Sequence, residues 1–190
     1  MIKITLPDGS VKEFAQGITP MDVALSISEG LARNVISASF NGTTVETTTN
    51  LTTDGSLILY TWNNDEGKKA FWHSTSHVMA QVIEELYPGC KLTIGPAIDN
   101  GFYYDVDFGD KKLTDADFKK VEDRVLEISR EKHTFKMRSA TKAEALELYK
   151  DNEFKTELIT NLEDGTITFC DHSTFTDLCR GGHIPNTGII

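Results

Sequence analysis

Basic residues are in short supply in this chain. Lys and Arg number 19 against 29 Asp and Glu, a formal net charge of −10 over 190 residues. A protein that grips nucleic acid unaided is normally basic, because neutralising phosphates supplies most of the affinity. Any RNA partner must then be held locally, or mainly by other parts of a larger protein. Long apolar runs are missing too. No stretch approaches the roughly 18 apolar residues of a membrane span, and the start, Met1-Ile2-Lys3-Ile4-Thr5, lacks the apolar core of a secretory signal. These absences predict a cytoplasmic protein with no membrane partner. Cysteine is sparse: Cys90, Cys170 and Cys179 are odd in number and irregularly spaced, which argues against a disulfide framework and fits a reducing compartment. The HExxH pattern of zincin proteases is absent, as is the HxE with PCxxC pattern of zinc deaminases. There is no internal repeat and no low-complexity tract.

What stands out is two short stretches about a hundred residues apart. His73-Ser74-Thr75-Ser76-His77 and Cys179-Arg180-Gly181-Gly182-His183 each carry a pair of strong ligand or acid/base side chains spaced i, i+4. On a helix, residues four apart share a face, so His73 and His77 can aim both imidazoles at one spot that the second pair could complete. Two readings stay open on spacing alone. Three nitrogens and one sulfur suit zinc, in a closed structural site or a catalytic one. The same groups can shuttle protons near neutral pH. Taken singly, Lys155, Tyr104 and Asp177 read as surface or structural residues, and Cys90 and Cys170 as small buried apolar side chains.

The first sixty residues read as a ββαβ(β)β module. Ile2, Ile4 and Leu6 alternate with polar residues, Pro7-Asp8-Gly9-Ser10 turns the chain, and Val11 to Phe14 resumes it. Thr19 is placed to cap a helix with Pro20 at its first position and Asp22 three residues on, and Gly30 is the expected terminator. Strands at Val35 to Phe40, Thr43 to Val45 and Leu57 to Tyr60 follow, a β-grasp pattern. The polar segment Asn63 to Lys69 is the expected boundary, dividing residues 1–62 from 63–190. Beyond it, a helix is expected from Ala70 to Tyr87, strands over Lys91 to Asp107, helices opened by Thr114 and by Thr141, and extended chain from Phe154 to Cys170. Of Tyr103 and Tyr104, alternation sends one to the core and one towards a pocket. Cys179 and His183 are expected on a strand-to-loop turn, because two adjacent glycines disfavour helix. The chain ends seven residues after His183, which reads as a piece cut from a longer protein.

Leu6-Pro7-Asp8-Gly9-Ser10, Pro20-Met21-Asp22-Val23-Ala24, His73-Ser74 with His77, Ile94-Gly95-Pro96, Asp99 to Asp105, and Asp177 to Gly181 with His183 together resemble the amino-terminal region of the bacterial threonyl-tRNA synthetase family, over essentially the whole chain. The resemblance implies an α+β protein: a small β-grasp (ubiquitin-like) TGS domain, then an α+β editing domain of the threonyl/alanyl-tRNA synthetase kind, a β-sheet packed by helices. It implies hydrolysis of tRNA for threonine mischarged with serine. One methyl supports only about 1–3 kcal/mol of discrimination, roughly 10–200-fold, so a second pocket that admits serine and rejects the extra methyl removes the error.

By the same resemblance His73 acts in proton transfer, and Lys155, matched more loosely, places positive charge near the ester. His77, Cys179 and His183 shape the pocket and position water, while Asp177 and Tyr104 hold the serine amine and the adenosine end. The site is expected to be metal-free, although the related alanyl site binds zinc with the equivalent constellation. ATP, magnesium and a zinc ion, together with the dimer contact, belong to the parent's catalytic core, so the partner expected for this piece is the tRNA acceptor end. The alternatives are a zinc-dependent hydrolase and a noncatalytic RNA-binding or regulatory module.

Overall fold

Residues alternating in and out of the first strand set up the first sheet. In the computed structural model, which describes residues 1–190, β1 (Ile2–Thr5) buries Ile2 and Ile4 and pairs antiparallel with β2 (Val11–Phe14). After it come α1 (Pro20–Ile27), α2 (Glu29–Asn34), β3 (Val35–Phe40), β4 (Thr43–Val45) and β5 (Gly55–Thr61). The strands form one five-stranded sheet in the order β2-β1-β5-β3-β4, with β1 and β5 parallel and the other pairs antiparallel. Val23 of α1 joins Ile2, Ile4, Ala38, Leu51 and Leu57 in the core of this sheet. The expected strand order and helix are present.

Thr19 caps α1 as expected: its hydroxyl accepts from the Asp22 amide and the Asp22 carboxylate answers the Thr19 amide. The expected stop at Gly30 is corrected. Ser28, extended at φ −167°, closes α1 through its amide to Ala24 O and opens α2 by accepting from the Leu31 amide, so one residue serves two helix ends and Gly30 lies inside α2.

The chain divides into two compact units, residues 1–71 with 181–185 and residues 72–180 with 186–190. The division falls inside α3 (Asp65–Leu86), between Phe71 and Trp72. This helix starts five residues earlier than the expected Ala70. Asp65 and Glu66 sit in its first turn, where negative charge favours the helix dipole, and the Asn64 side chain accepts from the Thr61 amide just before it.

In the second unit, β6 (Lys91–Leu92), β7 (Ala97–Ile98), β8 (Gly101–Phe102) and β9 (Val106–Asp107) form two short antiparallel pairs, β6 with β9 and β7 with β8. Then α4 (Asp115–Glu131), β10 (Lys136–Ser139), α5 (Lys142–Leu148), α6 (Glu153–Thr160), β11 (Thr168–His172) and β12 (Phe175–Leu178) complete it. A three-stranded antiparallel sheet runs β10-β11-β12. Capping boxes at Thr114 and Thr141 start α4 and α5 as expected. The extended chain expected from Phe154 is corrected: α6 occupies Glu153–Thr160, capped by Asn152 Oδ1 accepting from the Lys155 amide at 3.1 Å, with Ile159 buried against Ala145 and Phe169.

Candidate functional site

Helix α3 carries His73 and His77 on one face. Their ring centroids are 4.7 Å apart and their Nε2 atoms 3.0 Å apart, so a single proton between those nitrogens makes a hydrogen bond. His73 is half-exposed, whereas His77 is 3 % exposed. Ser76, between them, donates to His73 O at 2.7 Å and to Gly95 O at 2.8 Å, tying the helix to the stretch before β7. Cys179, just past the end of β12, places its Sγ 3.4 Å from His73 Nε2, and Thr168 Oγ1 donates to the Cys179 carbonyl.

Behind the two imidazoles lies Asp177, buried in β12. Its Oδ2 accepts from the Tyr104 hydroxyl at 2.6 Å and lies 3.1 Å from His77 Nδ1, while its Oδ1 accepts from the Lys155 ammonium. Three side chains, from α3, α6 and the loop between β8 and β9, thus converge on one carboxylate. Burial alone would raise the Asp177 carboxyl, but the Lys155 charge and the His77 ring outweigh it and hold the group well below its ordinary range. Burial likewise opposes charge on His77, yet Asp177 and Cys179 pull its pKa above the ordinary 6.5. The Tyr104 hydroxyl is pushed well up by burial and by the Asp177 charge, so it is a donor throughout the accessible pH range. Lys155 itself is buried, with its Nζ 5.0 Å from the centroid of the Tyr149 ring.

These groups border a cavity of about 930 Å³, within the range of small-molecule sites. His73, His77, Cys179, Asp177 and Tyr104 form its polar side; Ile94, Pro96, Leu162 and Leu178 are among its apolar walls. A second, smaller cavity of about 340 Å³ is bordered by Lys155, Asp177, Glu84 and Tyr149. The Asp177 side chain therefore stands between two cavities, with Lys155 on the second. Burial raises the Glu84 carboxyl there.

Five of the residues singled out in the sequence, His73, His77, Tyr104, Asp177 and Cys179, meet at the larger cavity. Lys155 reaches it through Asp177. Tyr104 is the inward member of its pair, while Tyr103 is 45 % exposed. His183 packs in the first unit, where it is fully buried with Nδ1 3.0 Å from Glu46 Oε1. Sequence reasoning missed Ser76, Tyr149, Thr168 and the constraint on Gly95. A Cβ on Gly95 would sit 2.1 Å from a Tyr104 ring carbon, so only glycine lets that ring lie flat against the backbone. The signal available was Gly95-Pro96, which reads only as a turn.

The ligand atoms of His73, His77 and Cys179 all lie within 4.8 Å of one another. Two nitrogens on one tetrahedral zinc ion stand about 3.3 Å apart, given bonds of about 2.0 Å. The 3.0 Å between the two Nε2 atoms is closer to hydrogen-bond contact, although a small movement would admit an ion.

Residues 2–61 match the TGS domain family. Along its whole length the chain is 81 % identical to threonine–tRNA ligases of Flavobacterium psychrophilum and Flavobacterium johnsoniae, and 50 % identical to that of Cytophaga hutchinsonii. It spans 29 % of the length of the first two and 30 % of the third.

Proposed function

We propose, because the chain belongs with the amino-terminal regions of the threonine–tRNA ligases and carries their TGS domain, that its second unit is an editing site hydrolysing seryl-tRNA for threonine. The observation that carries this reading is the run of contacts from Lys155 through Asp177, His77 and His73 to Cys179 along the polar side of the larger cavity. An ester bond needs a water made nucleophilic and a leaving alcohol supplied with a proton. His73, the half-exposed imidazole bordering the cavity, takes the proton from water as its oxygen attacks the seryl carbonyl. That proton then goes to the ribose oxygen as the ester C–O bond breaks, leaving serine and the free tRNA end. His77, held basic by Asp177, steadies the charge that His73 gains, much as a buried carboxylate orients a catalytic imidazole elsewhere. The Lys155 charge balances Asp177, and Tyr104 fixes the carboxylate in place. His183 is assigned to the same site by the motif it shares with Cys179. Joining threonine to tRNA, the activity in the relatives' name, is assigned to the remainder of such a protein, with the ATP, magnesium and zinc that chemistry uses.

The test is release of serine from seryl-tRNA for threonine, with threonyl-tRNA as the comparison substrate. Purified chain, or the chain within its full-length parent, should release serine and spare threonine. Inertness of the full-length protein towards both substrates would sink the proposal. A second reading, a zinc site, is favoured by the clustering of His73, His77 and Cys179 with Asp177 behind His77 Nδ1, the arrangement of a carboxylate backing a metal-bound histidine. Stoichiometric metal in protein purified without added zinc would establish it.

A further inference from the structure

Glu46 follows the last residue of β4, and nothing in its neighbourhood of the sequence marks it as functional. Its side chain is nevertheless almost fully buried. Three donors converge on the carboxylate. Oε1 receives the Gly182 amide at 3.0 Å and stands 3.0 Å from His183 Nδ1, and Oε2 receives the His183 amide at 3.1 Å. The two amides are aimed alike because Gly181 and Gly182 both lie in the left-handed region, at φ 94° and 89°. Successive amides in such a turn make a small anion-binding concavity. Here a side chain of the same unit fills it. A Cβ on Gly182 would stand 3.4 Å from Thr44 Cγ2, an ordinary contact, so the positive φ rather than space is what favours glycine there.

A carboxylate can only accept, so the His183 nitrogen facing Glu46 must be the protonated one. The neutral imidazole then carries its proton on Nδ1 and presents Nε2 as a lone pair. We infer that Glu46 is a positioning residue: it holds the Gly181–His183 turn through two backbone bonds and fixes His183 as the Nδ1–H tautomer, so that the ring offers an acceptor rather than a donor. The consequence for hydrolysis rests on the reading that assigns His183 to the hydrolytic site. An acceptor there can orient a water or a hydroxyl; a donor at Nε2 would reverse that polarity.

The experiment is a long-range proton–nitrogen correlation spectrum of the histidine rings in the 190-residue chain, paired with serine release from seryl-tRNA. In the wild-type chain His183 should show a protonated Nδ1 and a bare Nε2. Glu46→Gln keeps the shape but sets an amide N–H against one of the donors, so the tautomer balance should move towards Nε2–H. Serine release should fall by up to about 100-fold, the loss that misplacing a reacting group by about 1 Å can cause, and mostly in kcat. A purely structural clamp would change stability without changing the tautomer. Wild-type His183 in the Nε2–H form overturns the inference, and that measurement needs no variant to fold. A Glu46→Gln chain matching wild type in tautomer and in hydrolysis overturns it as well. A full-length parent inert on seryl-tRNA, alongside a chain whose His183 is Nδ1–H and loses that form in Glu46→Gln, supports the Glu46 assignment while removing the hydrolytic reading.

Discussion

Replacing Asp177 by Asn keeps the size of the side chain and removes its charge. The carboxylate is 3 % exposed and serves Tyr104, His77 and Lys155 at once. Asn offers one acceptor oxygen, and its amide group points N–H bonds at whichever donor faces it. The larger loss concerns Lys155, only 2 % exposed, whose ammonium is left in the interior without its counter-charge. Breaking a buried pair from one side costs about 3–5 kcal/mol, whereas exchanging both members for apolar or neutral groups of similar volume is often neutral. Asp177→Asn should therefore destabilise the second unit by about 3–5 kcal/mol, and adding Lys155→Met should restore most of that. Urea unfolding followed through amide signals of residues 72–180 measures both, since two compact units need not unfold together. A loss below about 1 kcal/mol for the single change, or no recovery in the double, would refute the account of Lys155 and Asp177 as a mutually dependent pair.

His73→Ala should lower serine release by about 10²–10⁴-fold, the usual worth of a positioned acid–base group, with the circular dichroism spectrum unchanged; activity within a few-fold of wild type removes His73 from proton transfer. Gly95→Ala should push the Tyr104 ring off Asp177 and cost about 1.5–3 kcal/mol, the worth of a hydrogen bond to a charged group, and Tyr104→Phe should match it in thermal unfolding; an undisturbed Gly95→Ala would contradict the close approach of that ring. Stability should also depend on pH through two opposed groups. The depressed Asp177 contributes stability above its ordinary 3.8, lost as pH falls through the lower folded value. The raised His77 contributes stability that is complete below its ordinary 6.5 and is lost as pH rises through the higher folded value. The combined contribution is greatest between those ordinary values, and denaturant midpoints taken across pH should show the His77 arm weaken in Asp177→Asn, which leaves only Cys179 to oppose burial.

Local rules made much of the first unit legible: the alternation in β1, the Thr19 capping box and the turn at Pro7 to Ser10 each depend on residues a few positions apart. The placement of His73 and His77 on one helical face was legible for the same reason. Ser28 was not, because a residue that closes one helix and opens the next leaves no break in the apolar pattern, and Gly30 looked like the more obvious stop. In α6 only Phe154, Leu158 and Ile159 are apolar, too few in eight residues for a clear period, and the Asn152 cap marks the helix start. The hub at Asp177 joins residues 22 and 73 positions away, and Glu46 meets His183 across 137. Pairings at such distances leave no spacing to read. The motif resemblance brought Asp177, Tyr104 and Lys155 together as neighbours, but not the geometry in which one carboxylate holds the other groups.

The meeting of Glu46 with Gly182 and His183 also sets a clock. Because residues 181–185 belong with residues 1–71, the main part of the second unit, residues 72–180, lies within the first along the chain. Synthesis must add 137 residues after Glu46, His183 being the last of them, before that carboxylate meets its buried partners. At about 5–20 residues per second this interval lasts roughly 7–27 s, far longer than a ten-residue loop takes to close. Through that interval the sheet can form, but Glu46 remains hydrated. The last piece of the first unit is then set only after the whole of the intervening segment has been made.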